Sequence, residues 1–122
     1  MKNRKYQLIT ILGLAFAAAC GSANEQQAAT LGATKAEDLF AAKCSMCHDF
    51  KEDKIGPALA GVYGRWGNDK TKLKSFVRNS QQYIASGDPY AVALYKKWNE
   101  SAMPSFTGLS EEELDLLIEY LQ

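Results

Sequence analysis

The clearest pattern in the chain is near its end, where Leu114, Leu117, Ile118 and Leu121 recur at i, i+3, i+4 and i+7. That period predicts a helix with one apolar face. Ser110 stands at its N-cap and Glu113 lies three residues on, the signature of a capping box. Thr34 and Glu37 repeat the signature and predict a first helix, along which Phe40, Cys44, Cys47 and His48 share one face. Leu73, Phe76, Val77 and Ile84 form the apolar side of a second helix over about 72–85. Gly87-Asp88-Pro89 then ends one helix and begins another, with glycine past a C-terminus, aspartate as N-cap and proline at the first helical position. A third helix therefore runs over about 89–98, and the terminal one is the fourth. No segment reads as a convincing strand, so the fold class is all-α.

Between the first two helices, Gly56, Pro57, Gly61 and Gly64 forbid a regular helix over 55–65. Ile55, Leu59, Val62 and Tyr63 nevertheless make this stretch apolar, as in a loop laid against a greasy surface. In a folded part covering only 34–122, a large buried cofactor would supply that surface and offset a thin core.

The N-terminus follows a different pattern. Lys2, Arg4 and Lys5 precede an apolar run from Leu8 to Ala19, the layout of a signal peptide over 1–19. The run is shorter than the about 20 residues needed to span a bilayer. Its end, Ala18-Ala19-Cys20 followed by Gly21-Ser22, resembles the lipobox of bacterial lipoproteins, with Ala17 where leucine is usual. The resemblance implies an acylated Cys20 on the periplasmic side of a membrane. Ordinary cleavage nearby would instead leave a soluble periplasmic protein with a free thiol. Residues 21–33 are small and polar apart from Leu31, so 20–33 reads as an acylated cysteine plus flexible tether before the domain at 34–122. Loss of residues 1–19 removes three of the 14 basic residues and none of the 14 acidic ones, leaving 11 against 14, a net charge of −3. That balance gives no reason to expect a nucleic-acid partner.

The candidate chemistry lies in Cys44-Ser45-Met46-Cys47-His48. Cys-x-x-Cys-His is the attachment signature of a c-type haem. At i, i+3 and i+4 the two thiols reach the haem vinyl groups while the histidine lies under the iron. A zinc site would need about four ligands, and the chain has no second histidine to add to these three residues. A thioredoxin-like pair would open a helix after a strand, which is not the pattern here. A disulfide between Cys44 and Cys47 would be geometrically poor within a helix. With His48 the only histidine, the second iron ligand is sought among the three methionines. Met1 leaves with the signal peptide and Met46 lies between the attachment cysteines, so Met103, in Ala102-Met103-Pro104-Ser105-Phe106, is the candidate.

With these motifs, residues 34–122 resemble a class I cytochrome c. The resemblance rests on the haem motif, the Gly-Pro-x-Leu-x-Gly-x-x-Gly-Arg stretch from Gly56 to Arg65, the Met-Pro-Ser-Phe loop and the C-terminal helix. It implies crossing N- and C-terminal helices around one covalent haem c, with Phe40 meeting the Leu117/Tyr120/Leu121 region. Ala36 stands where the family often has glycine, which implies a slightly looser crossing. By the same resemblance, the Pro57 carbonyl orients His48, Leu59 packs on the haem and Arg65 serves a propionate. Trp66 or Trp98 could donate to a propionate or simply pack, and Tyr83, Tyr90 or Tyr95 could bond the Met103 sulfur.

A His/Met haem has no open coordination position, which implies a one-electron carrier in an extracytoplasmic, respiratory chain rather than an enzyme. An enzyme or sensor in which Met103 dissociates, and a tethered subunit of a larger respiratory complex, are the alternatives. The expected partners are a redox donor and acceptor and, through Cys20, a membrane surface. Lys51, Lys54, Lys70, Lys72, Lys74, Lys96 and Lys97 could ring the haem edge and steer an acidic partner, or be an ordinary solvated surface.

Overall fold

The computed structural model describes residues 22–122; the expected signal peptide and Cys20 lie outside the described residues. Six helices follow one another: α1 (Ser22–Lys43), α2 (Val62–Arg65), α3 (Lys70–Arg78), α4 (Ser80–Ala85), α5 (Pro89–Lys97) and α6 (Glu111–Tyr120). Among the described residues there is no strand, as an all-α chain requires.

The frame is the crossing of α1 and α6. Small residues let the two backbones approach: Ala36 is 2% exposed, and a side chain on Gly32, one turn earlier, would come within 3.3 Å of Leu116. One turn beyond Ala36, the Phe40 ring lies 5.8 Å from that of Tyr120, so Phe40 meets α6 in the expected region. From α6, Leu114, Leu117 and Ile118 turn inward, and burial of each stabilises the fold by about 1.5–3 kcal/mol. The capping box is complete: Glu113 N–H donates to Ser110 Oγ at 3.1 Å, and Ser110 N–H to Glu113 Oε2 at 3.0 Å. A core of Val62, Trp66, Leu73, Ala91, Ile118 and Leu121 fills the space between α6 and the short helices.

Three expectations are corrected. The first helix starts at Ser22, not Thr34, so the segment expected to be a coil tether is helical as far as the structure describes it. Its alanine, glutamine and glutamate residues are good helix formers. Thr34 caps nothing; its hydroxyl donates back to the Thr30 carbonyl at 3.0 Å, an ordinary mid-helix arrangement. The second expected helix is two, broken at Asn79, whose side chain accepts from Gln82 N–H at 3.1 Å and so starts α4. The glycine-rich stretch holds one helical turn, α2, entered through Gly61 at φ +67°, a left-handed value that glycine adopts without strain.

On the outer face, α3 and α6 meet through a ladder of ion pairs. Lys70, Lys74 and Arg78 stand at four-residue intervals, and so do Glu111, Asp115 and Glu119 on the facing helix. Lys74 Nζ lies 2.6 Å from Asp115 and 3.0 Å from Glu111; Lys70 reaches Asp115 and Glu119, and Arg78 reaches Glu111. Bonding to Lys74 first of all holds both Glu111 and Asp115 below the usual carboxylate range. Such exposed pairs are individually weak and screened by salt. A depressed carboxylate stabilises the fold above its unfolded pKa and loses that contribution as pH falls through its folded value. Lys74→Met should therefore melt below the wild type at neutral pH. The two melting curves should converge below about pH 4, where carboxylates take up protons, whereas a gap that persists in acid would assign the effect to packing of the lysine stem.

Candidate functional site

The haem motif sits where α1 ends. Cys44 N–H and Ser45 N–H both donate to Phe40 O, at 2.8 and 2.9 Å, so the helix ends in a widened turn, and His48 N–H donates to Cys44 O at 2.9 Å to continue the motif as one more turn. This turn carries Cys44 and Cys47 as free, half-buried thiols. Burial pushes the Cys44 thiol up to about 11, the direction expected where a thiolate would lose water without gaining a cation.

His48 is held by the loop that follows. Its Nδ1 lies 2.8 Å from the Pro57 carbonyl oxygen. A carbonyl can only accept, so Nδ1 donates, and in the neutral ring this tautomer puts the lone pair on Nε2. Gly56 lies against the same ring, and a methyl on it would fall on His48 Cε1. Only glycine fits there.

The loop has its own supports. Gly56 N–H donates to Cys47 O at 2.8 Å, and Ala58 N–H to Asp53 Oδ1 at 2.8 Å. Asp49 Oδ1 accepts from the N–H groups of Lys51 and Glu52, and these bonds hold its carboxyl below the usual range. Arg65 donates to Ala60 O at 2.6 Å and Ala58 O at 2.5 Å, so its guanidinium staples the loop. Leu59 packs against the core between those carbonyls. Gly61 N–H reaches Leu121 O at 2.8 Å and ties the loop to the end of α6.

Met103 is held separately. It is half-buried in the connection between α5 and α6, where its carbonyl accepts from Ser80 Oγ at 3.0 Å. Phe106 N–H donates to Arg78 O at 3.0 Å. Ser80 and the staple role of Arg65 escaped the sequence reading, because each depends on a contact that no local pattern encodes.

The aromatic alternatives separate. Trp66 is packed among Phe76, Tyr83 and Tyr90, with ring centroids 4.7, 5.9 and 5.0 Å away. Trp98 instead has a buried indole N–H with no partner, an arrangement that costs free energy unless an acceptor is supplied. The Tyr83 hydroxyl donates to Asp88 at 3.3 Å; burial and then that carboxylate raise its pKa. Among the lysines, Lys54 donates to Ser45 O at 2.7 Å. Lys70 and Lys74 are engaged on α6, and Lys72 lies 3.9 Å from Asp88.

These residues suit a haem: two free thiols, an imidazole with one nitrogen unengaged, and an indole donor awaiting an acceptor. The fold and site together define a small all-α domain built to carry a covalent haem. The chain belongs to the cytochrome c family, whose profile matches residues 33–122. It is similar to the cytochrome c domain of a Pseudomonas putida protein, at 33% identity over 70% of this chain and 83% of that one, with a TM-score of 0.60. It also resembles a cytochrome c from Rhodothermus marinus, at 29% identity over 75% of each chain, with a TM-score of 0.61. The fold is that of a class I cytochrome c. The family binds haem c covalently through Cys-x-x-Cys-His, the spacing of Cys44 and Cys47, and acts as a haem-based electron carrier with redox partners. Its domains are generally extracytoplasmic.

Gly56→Ala tests the seat of the imidazole. Overpacking at such a contact costs about 1–3 kcal/mol, so the variant should melt earlier and yield less haem-loaded protein. Wild-type melting would mean that the ring can move aside freely.

Proposed function

We propose that this cytochrome c carries single electrons through a haem ligated by His48 and Met103, on the outer side of a bacterial membrane. The observation that carries the ligand assignment is a contrast in burial. Met46 is 83% exposed beside the attachment cysteines, while Met103 is half-buried on a pinned loop. His48, the sole histidine, has committed Nδ1 to Pro57, so it can offer iron only Nε2.

The bound haem supplies a one-electron ferric/ferrous couple. Cys44 and Cys47 hold it through thioether bonds, which keep His48 beside the iron as an effectively intramolecular ligand. The Pro57 carbonyl fixes the imidazole tautomer and raises its basicity. Leu59 would add apolar surface beside the haem, and Trp98, whose indole N–H is buried without a partner, would donate to a propionate. Arg65 holds the Ala58 and Ala60 carbonyls and retains guanidinium donors for a propionate. As second ligand, Met103 would favour the ferrous state and leave no open position for a substrate, which supports a carrier over an enzyme.

A respiratory donor and acceptor are the natural partners of such a carrier. Cleavage after residue 19 and acylation of Cys20 would place it on the membrane, with 20–33 as the connector and 34–122 as the domain. Exposure supports the connector reading: Leu31, its one large apolar side chain, is 68% exposed. As helix, residues 22–33 would span about 18 Å.

Met103→Ala should abolish the far-red methionine-to-ferric-iron band and lower the potential by on the order of 100 mV, almost two tenfold steps at 59 mV each. An unchanged spectrum would remove Met103 as ligand. For the anchor, Cys20→Ser should move the protein from the membrane fraction to the soluble one; persistence with membranes would refute acylation at that residue.

A further inference from the structure

Ser80 is 1% exposed and is the only buried polar side chain among the described residues. A buried hydroxyl needs a partner, and this one donates to the Met103 carbonyl at 3.0 Å. Its position explains why it is available. Ser80 is the first residue of α4, but Asn79 already caps that helix by accepting from Gln82 N–H. The serine side chain is thus spare for a contact 23 residues away in sequence.

The loop it meets has few other restraints. Its entrance is closed by Ser101 N–H to Trp98 O at 3.1 Å, and its exit by Leu109 N–H to Phe106 O at 3.1 Å. Between these turns, the contacts from the α3–α4 corner are Ser80 to Met103 and Arg78 O to Phe106 N–H. The entrance also stores strain, since Asn99 and Glu100 adopt φ of +53° and +57°, a left-handed region that non-glycine residues seldom occupy.

We propose that Ser80 is a positioning residue for Met103, whose hydroxyl holds the methionine backbone where the thioether stays on the iron. This rests on the reading of Met103 as axial ligand. Ser80 does not touch the iron; it lowers the population of an open state in which Met103 has swung away. Loss of one net hydrogen bond from the closed state should raise that population roughly fivefold to tenfold.

Imidazole added to the ferric holoprotein reads the open fraction, because it binds only where Met103 has left and its apparent affinity scales with that fraction. Ser80→Ala should bind imidazole roughly fivefold to tenfold more tightly, with the far-red band still present before addition. Ile118→Val, which loosens the core without touching the loop, serves as the control for general destabilisation and should keep the wild-type affinity. Wild-type affinity in Ser80→Ala, or an equal shift in Ile118→Val, would overturn the proposal. Met103→Ala separates the two levels. If it leaves imidazole affinity unchanged, the ligand assignment fails and the clamp with it. If it tightens binding strongly while Ser80→Ala does not, the clamp alone fails.

Discussion

An imidazole offers two nitrogens on opposite sides of one ring, so committing the first decides what the second can do. Here the commitment is to the carbonyl of Pro57, and much of the domain keeps that carbonyl in place. Gly56 lies against the ring because it has no side chain, and its N–H returns to Cys47. Asp53 and Arg65 hold the adjoining peptides, and Gly61 binds the end of α6. The motif at the end of α1, the glycine-rich loop and the C-terminal helix are therefore one connected unit. In a domain this small, that connectivity supplements a modest apolar core.

The two sides of the site are unequally held. Around His48, successive backbone bonds and two side-chain staples leave little freedom. Around Met103, the restraint comes from Ser80 and Arg78 at one corner, and the loop begins with two strained residues. Local stability differs across a fold in this way wherever contacts are unevenly distributed.

What could be read in the sequence was what neighbours in the chain decide. Ser110 with Glu113, Asp88 before Pro89, and the Cys44–His48 spacing each involve residues within a turn, and the structure has all three. The crossing of α1 with α6 followed from family resemblance, and the Phe40–Tyr120 pair bears it out. The failures have physical causes. Thr34 looked like a cap because serine and threonine also occur inside helices, where they bond back to a preceding carbonyl. The break at Asn79 was hidden by apolar residues that keep their spacing across it. Ser80, the Arg65 staple and the α3–α6 ion pairs join residues between 5 and 49 positions apart, through contacts that exist only after the helices have packed.

The α3–α6 ladder has a consequence beyond its small electrostatic contribution. Three cations at four-residue intervals face three acids at the same interval, running in opposite directions. Rows of equal pitch pair fully in one register only. If α6 slid by one turn, about 5.4 Å, a charge would be stranded at each end, while the 98–109 connection would have to absorb the whole displacement. The ladder thus favours one register of α6 against α3, and with it one span for the segment that carries Met103.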